Sequence, residues 1–161
     1  LELAGRLDGN VAVVVTHPEP DEGSAYIATL VAGAADRDVD LRIVPAVPPV
    51  TLADAYAAAD LVCYPSRIEG FGNALLETVY YRRPLLVNRY PVYVADIATT
   101  GLQGIEMDGE ITDDVVAAAR HWIEKPAAWA GVVDHNYSVC RDHFSYERAT
   151  EVLASALTSL G

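Results

Sequence analysis

The chain is poor in lysine. Lys125 is the sole example in 161 residues, and 23 acidic side chains against 11 basic ones leave a formal charge of −12. A field of that sign repels phosphate backbones and anionic lipid headgroups, which argues against nucleic-acid partners and against strong membrane binding. An anionic ligand must therefore be held locally, by backbone amides or single arginines. Long apolar runs are also missing. Although 52% of the residues are apolar, no stretch approaches the roughly 20 that span a bilayer. The start lacks the basic segment and short apolar stretch of an export signal, so the expectation is a cytoplasmic protein. Cysteine is limited to Cys63 and Cys140. They fall in segments that read as a buried strand and a helix, without metal-ligand spacing, and are expected to be reduced core thiols. No internal repeat, low-complexity tract or flexible linker interrupts the chain, and its length suits one domain, 1–161, around one core.

What is present is an alternation of short strands and helices. Val11-Ala12-Val13-Val14-Val15 is a β-branched run expected to be a central parallel strand covered on both faces. A turn-rich segment leads to Ser24, which can cap a helix carrying Tyr26, Ile27, Leu30 and Val31 on one side. Strand Leu41 to Val44 follows, then a proline-rich loop, a helix capped by Thr51 with Asp54 three residues on, and strand Leu61 to Tyr64. A helix from about Gly72 to Tyr81 precedes strand Leu85 to Val87; beyond Gly109 only helices are expected, Thr112 to Glu124, Ala127 to about His143 and Tyr146 to Leu160. The pattern predicts an α/β fold: a Rossmann-like parallel sheet with flanking helices and a helical C-terminal extension. The leading segment Leu1, Leu3, Ala4, Leu7 has helical spacing already under way, and the expectation is a part of a longer polypeptide.

Ligands of open α/β sheets bind beyond the carboxyl ends of the strands. Of the loops there, Pro65-Ser66-Arg67-Ile68-Glu69-Gly70-Phe71-Gly72-Asn73-Ala74-Leu75-Leu76-Glu77 is the richest. Gly70 and Gly72 beside a helix start allow close backbone approach and leave free amides at the positive end of the helix dipole, an arrangement that suits a diphosphate. Glu69 precedes the helix, while Glu77 lies inside it on the face of Asn73 by i,i+4 spacing. Carboxylates accept hydrogen bonds from vicinal hydroxyls such as those of ribose and hexoses. Taken alone the pair reads as a solvated loop acid and a surface helix residue; the pattern around it turns the reading toward a ligand.

These segments resemble the C-terminal domains of family-4 retaining glycosyltransferases, the group 1 enzymes of the GT-B fold. Ala57 to Ser66 is similar to the family's "AAADLVVLPS" strand, Glu69 to Glu77 to its E-x7-E motif, Pro84 to the proline opening the next strand, and Asp142-His143-Phe144-Ser145-Tyr146-Glu147 to its "FSYE" tail. The resemblance implies the C-terminal half of a GT-B fold that binds a nucleoside-diphosphate sugar, UDP- or GDP-linked, without metal or other cofactor. Glu69, with Gly70, Phe71 and Gly72, would grip the hexose and is the catalytic candidate; Asn73 and Ala74 would hold the phosphate through their amides, and Glu77 the ribose. The base is expected against Val44-Pro45-Ala46-Val47. The family's basic pair for the diphosphate is expected ahead of Leu1, and an N-terminal domain of the same polypeptide would bind the acceptor, so the isolated chain is expected to be inactive.

Arg82 stands where the family usually has a glycine, which implies a different helix ending, and Val15-Thr16-His17 lacks the family's frequent glycine. Arg67 is either a ligand contact or a partner of Glu69. His17 reads as solvated, and His121, His135 and His143 as structural. Tyr90 and Tyr93 read as packing aromatics, with a place near the donor or acceptor as the alternative. An epimerase or sugar phosphorylase on the same scaffold and a non-catalytic α/β interaction module remain as rival readings.

Overall fold

The computed structural model describes residues 1–7, 11–16, 24–44 and 50–159. The order is α1 (Glu2–Gly5), β1 (Ala12–Val15), α2 (Ser24–Ala35), β2 (Asp40–Ile43), α3 (Leu52–Ala58), β3 (Val62–Tyr64), α4 (Asn73–Tyr80), β4 (Leu85–Asn88), β5 (Ile105–Met107), α5 (Asp113–Glu124), α6 (Ala130–Phe144) and α7 (Tyr146–Ser159). A π turn, Tyr93–Ile97, and 3-10 turns at Ala98–Thr100 and Pro126–Ala128 complete the connections. All strand pairs are parallel. The α/β class with helices flanking parallel strands is as expected.

The sheet is divided, however. β1 pairs with β2, and β3-β4-β5 form a separate three-stranded sheet. The centre is β4, every residue of which is buried. Alternation sends Leu86 to one face with Leu3, Leu7, Met107 and Val115, and Leu85 and Val87 to the other with Leu75, Tyr93 and Ile97. The expectation that Val11–Val15 forms a central strand is corrected: β1 is an edge of a two-stranded sheet, and Val14 is 51% exposed. A continuous β-branched run reports the tendency to be covered but not whether a neighbour supplies the cover. Cys63, expected in a buried strand, keeps accessible surface on the edge strand β3, while the protein around its thiol pushes it up to about 11. On α2, Ile27 and Leu30 of the expected face are half-buried and line up with buried Ala34, whereas Tyr26 and Val31, expected on the same side, are exposed. β5 was not expected; its three residues are too few to show a period.

Local chemistry sets the helix starts. Thr51 and Asp54 form a reciprocal capping box, Thr51 Oγ1 accepting from the Asp54 amide at 3.2 Å and Asp54 Oδ2 from the Thr51 amide at 2.8 Å. Ser145 Oγ accepts from the Arg148 amide at 3.1 Å and so starts α7.

The end of α4 corrects a further expectation. Arg82 sits at φ 52°, in the left-handed region. The Arg83 amide donates to the Thr78 carbonyl and the Arg82 amide to that of Val79, both at 3.0 Å. This is the paired ending that a glycine ordinarily provides, so the termination is the usual one with an arginine in the glycine's place. Its guanidinium lies 4.2 Å from the centre of the Tyr137 ring and pairs with Asp134, both on α6. A cation over an exposed ring is worth about 0.5–1 kcal/mol and a surface ion pair about 0–1 kcal/mol, against a left-handed side-chain cost of about 1–2 kcal/mol. Arg82→Ala keeps the cost and loses the contacts, so urea unfolding should show a loss of about 1 kcal/mol. Arg82→Gly loses the contacts and the cost together and should stay within about 1 kcal/mol of wild type. An alanine variant as stable as the glycine variant would refute this balance.

Candidate active site

β3 ends at Tyr64, and the chain passes through the Glu69-Gly70-Phe71-Gly72 loop into α4. Gly72 is the N-cap of α4 at φ 93°, ψ 80°, and no side chain caps the helix. Leu75 N reaches the Gly72 carbonyl at 3.0 Å. The amides of Asn73 and Ala74, one turn too early for an acceptor within the helix, stand at its positive end.

Two phenols close over this turn. A Cβ on Gly72 would lie 2.7 Å from the Tyr64 hydroxyl and 3.0 Å from that of Tyr90. The Tyr90 hydroxyl donates to the Phe71 carbonyl at 2.8 Å, and the two tyrosine rings meet edge-on at 6.0 Å. Burial, then a hydrogen bond to Glu69, raises the Tyr64 phenol above its ordinary range; burial, then the charge of Glu69, raises that of Tyr90. Both remain protonated donors near neutral pH. Glu69 is thus half-buried beside two phenols, not a freely solvated acid. Phe71 turns its ring to Phe144, edge-on at 4.9 Å, which fastens the loop to the start of the tail segment.

Glu77 is half-buried on α4. Tyr56, from α3, donates to its Oε2 at 3.1 Å. The sequence pattern placed Glu69, Gly70, Phe71, Gly72, Asn73, Ala74 and Glu77 on one loop and the helix it opens, and they lie there.

The neighbouring expectations divide. Tyr90 and Tyr93 are buried, and the Tyr93 hydroxyl donates to Glu106 Oε1 at 2.8 Å. Arg67 is exposed, and among the described residues no ion pair joins it to Glu69 or another acid. The His135 ring lies 2.9 Å from the Gly101 carbonyl. His17 and the Pro45 to Val47 segment expected to face the base fall outside the described residues. Sequence reasoning missed the fastening role of Asn88. Its Nδ2 donates to the Ser66 carbonyl at 3.0 Å and its Oδ1 accepts from the Gly109 amide at 2.8 Å, so the end of β4 holds the loops after β3 and β5. A polar residue closing the apolar run Leu85-Leu86-Val87 was the available signal.

A concavity of about 970 Å³ opens between α4, α6 and α7, lined by Leu76, Tyr80, Tyr137, Phe144 and Arg148 among others, and its lining includes neither Glu69 nor Glu77. Among the described residues, no three His, Cys, Asp or Glu gather as a metal site, and no helix is long and apolar enough to cross a membrane.

Residues 9–125 match the family model for glycosyl transferases group 1. The chain belongs to this family. It is 32% identical over 112 residues to the mannosylglucosylglycerate synthase of Thermotoga maritima, covering 62% of this chain and 26% of that protein. The enzyme of the same name from Petrotoga mobilis is 36% identical over 109 residues, covering 62% and 25%. The D-inositol 3-phosphate glycosyltransferase of Streptosporangium roseum is 32% identical over 106 residues, covering 64% and 23%. The chain thus spans about a quarter of the length of these relatives. The crystal structure of TarM superimposes with a TM-score of 0.73 at 16% identity, over 96% of this chain and 30% of that one, which establishes the shared GT-B-type fold.

The Gly72 turn is testable without a ligand. Gly72→Ala must place a Cβ at positive φ against both phenols, so urea unfolding should show a loss of about 2 kcal/mol or more. An unchanged midpoint would mean that Tyr64 and Tyr90 do not enclose this turn.

Proposed function

We propose that this chain binds the nucleoside-diphosphate sugar donor, UDP- or GDP-linked, of a retaining hexosyl transfer, and that an N-terminal domain of the same polypeptide binds the acceptor. The observation that carries the reading is the start of α4: an N-cap without a side chain, free amides at Asn73 and Ala74, and Glu69 and Glu77 on the same loop and helix. The diphosphate would lie on the helix N-terminus, where amide dipoles stabilise negative charge. As the bond to the sugar breaks, charge grows on the leaving diphosphate, and preorganised amides there favour the transition state. Glu69 would take hexose hydroxyls and so set the reacting carbon; Glu77 would take those of ribose. Membership of the glycosyltransferase family favours transfer over epimerisation or phosphorolysis, and relatives named for sugar-containing products support a hexose donor.

Unfilled surface supports the second half of the proposal. Among the described residues β1 and β3 are both edges, and α7 exposes Val152, Leu153 and Leu157, the last at 71%. Edges and apolar helix faces of this kind fit further polypeptide.

Titration calorimetry on the full-length protein separates the two glutamates. Glu77→Ala should weaken nucleoside diphosphate and nucleotide sugar about equally, by roughly 1–3 kcal/mol. Glu69→Ala should spare the nucleoside diphosphate, weaken the nucleotide sugar and lower the maximal rate. Identical ligand profiles for the two variants, with melting temperatures unchanged, would overturn the assignment.

A further inference from the structure

The pairing of Tyr56 with Glu77 carries an inference that rests on the reading of Glu77 as the ribose ligand. A glutamate on a helix surface has three rotatable side-chain bonds, and holding it for a ligand costs rotamer freedom unless something already restricts it. Tyr56 supplies the restriction. It is buried on α3, its ring stacks on that of Tyr81 at 4.8 Å and 15°, and its hydroxyl donates to Glu77 Oε2 at 3.1 Å, with the Ala74 carbonyl at 3.4 Å. Two torsions orient the phenol, and the stack on Tyr81 restricts both. Glu77 Oε1 has no hydrogen-bond partner among the described residues. Burial, then the charge of Glu77, pushes the Tyr56 phenol up to about 12, so it remains a donor throughout the neutral range.

We infer that Tyr56 is a positioning residue: it holds Glu77 through Oε2 and leaves Oε1 for the hydroxyls of the nucleotide ribose. The hydroxyl itself touches no ligand. Its contribution is to prepay the ordering of Glu77, so it should be felt only by ligands that Glu77 contacts.

Tyr56→Phe keeps the ring and its stack and removes the hydroxyl alone. The measurement is calorimetric affinity of the full-length protein for UDP or GDP, whichever binds wild type more tightly, and for its 2′,3′-dideoxy counterpart, in wild type, Tyr56→Phe, Glu77→Ala and the double variant. Tyr56→Phe should weaken the ribonucleotide by about threefold to tenfold and leave the dideoxy nucleotide unchanged. On the Glu77→Ala background the same change should have no effect. A general loosening of α3 would weaken both nucleotides alike, so the ratio remains informative even if the melting temperature falls. Equal losses for the two nucleotides, or no loss for either while Glu77→Ala still discriminates between them, would overturn the role of Tyr56 alone. Failure of Glu77→Ala to discriminate, or absence of binding by wild type, would overturn the ribose assignment and the inference with it.

Discussion

The backbone of Gly72 is the constraint on which the site depends. The chain leaves β3, crosses the Glu69 loop and turns into α4 at φ 93°, in a space that the hydroxyls of Tyr64 and Tyr90 deny to any side chain. The two phenols come from different strand ends, Tyr64 from β3 and Tyr90 from just beyond β4, so they meet only because β3 and β4 pair in register, with Tyr64 opposite Val87. Through Tyr90 the turn fixes the Phe71 carbonyl, and through the Phe71 ring it reaches Phe144 at the end of α6. Nothing caps the helix that follows. A residue with a side-chain oxygen at this N-cap would satisfy an amide internally; glycine leaves those donors without a side-chain acceptor.

On the proposed reading, that local arrangement would let so acidic a chain accommodate an anion. A formal charge of −12 sets an unfavourable field at long range. Salt screens that field over roughly 8–10 Å, whereas the amides of a helix start act at hydrogen-bond distance and carry no counter-charge that must be desolvated. The carboxylates at the site are themselves placed against donors, Glu69 near Tyr64 and Glu77 against Tyr56.

The residues of the loop were legible because their chemistry is local. Glycines beside a helix start, a carboxylate before it and another on the face of its first residue can be read in sequence order, and so could the Thr51 capping box and the start of α7 at Ser145. What could not be read depends on partners far away in the chain. Nothing near Tyr56 announces Glu77, 21 residues on, and nothing near Asn88 announces that it fastens loops on both sides of its strand. The apolar run of β1 suggested a buried centre, yet which strand is central is decided by neighbours, and β4 holds that place. Arg82 misled in the opposite direction: an unusual residue occupies an ordinary backbone geometry because Tyr137 and Asp134 hold its side chain.

The central claim, that a nucleotide sugar lies over the start of α4, is tested most directly by following backbone amide resonances of the full-length protein during titration with UDP- and GDP-sugars and the matching nucleoside diphosphates. The amides of Phe71, Gly72, Asn73 and Ala74 should shift with both kinds of ligand, since both carry the diphosphate, and that of Glu69 should respond further when the sugar is present. Shifts confined to the α4, α6 and α7 concavity around Tyr137 and Phe144, with Gly72 to Ala74 unmoved, would place the ligand elsewhere and contradict the account.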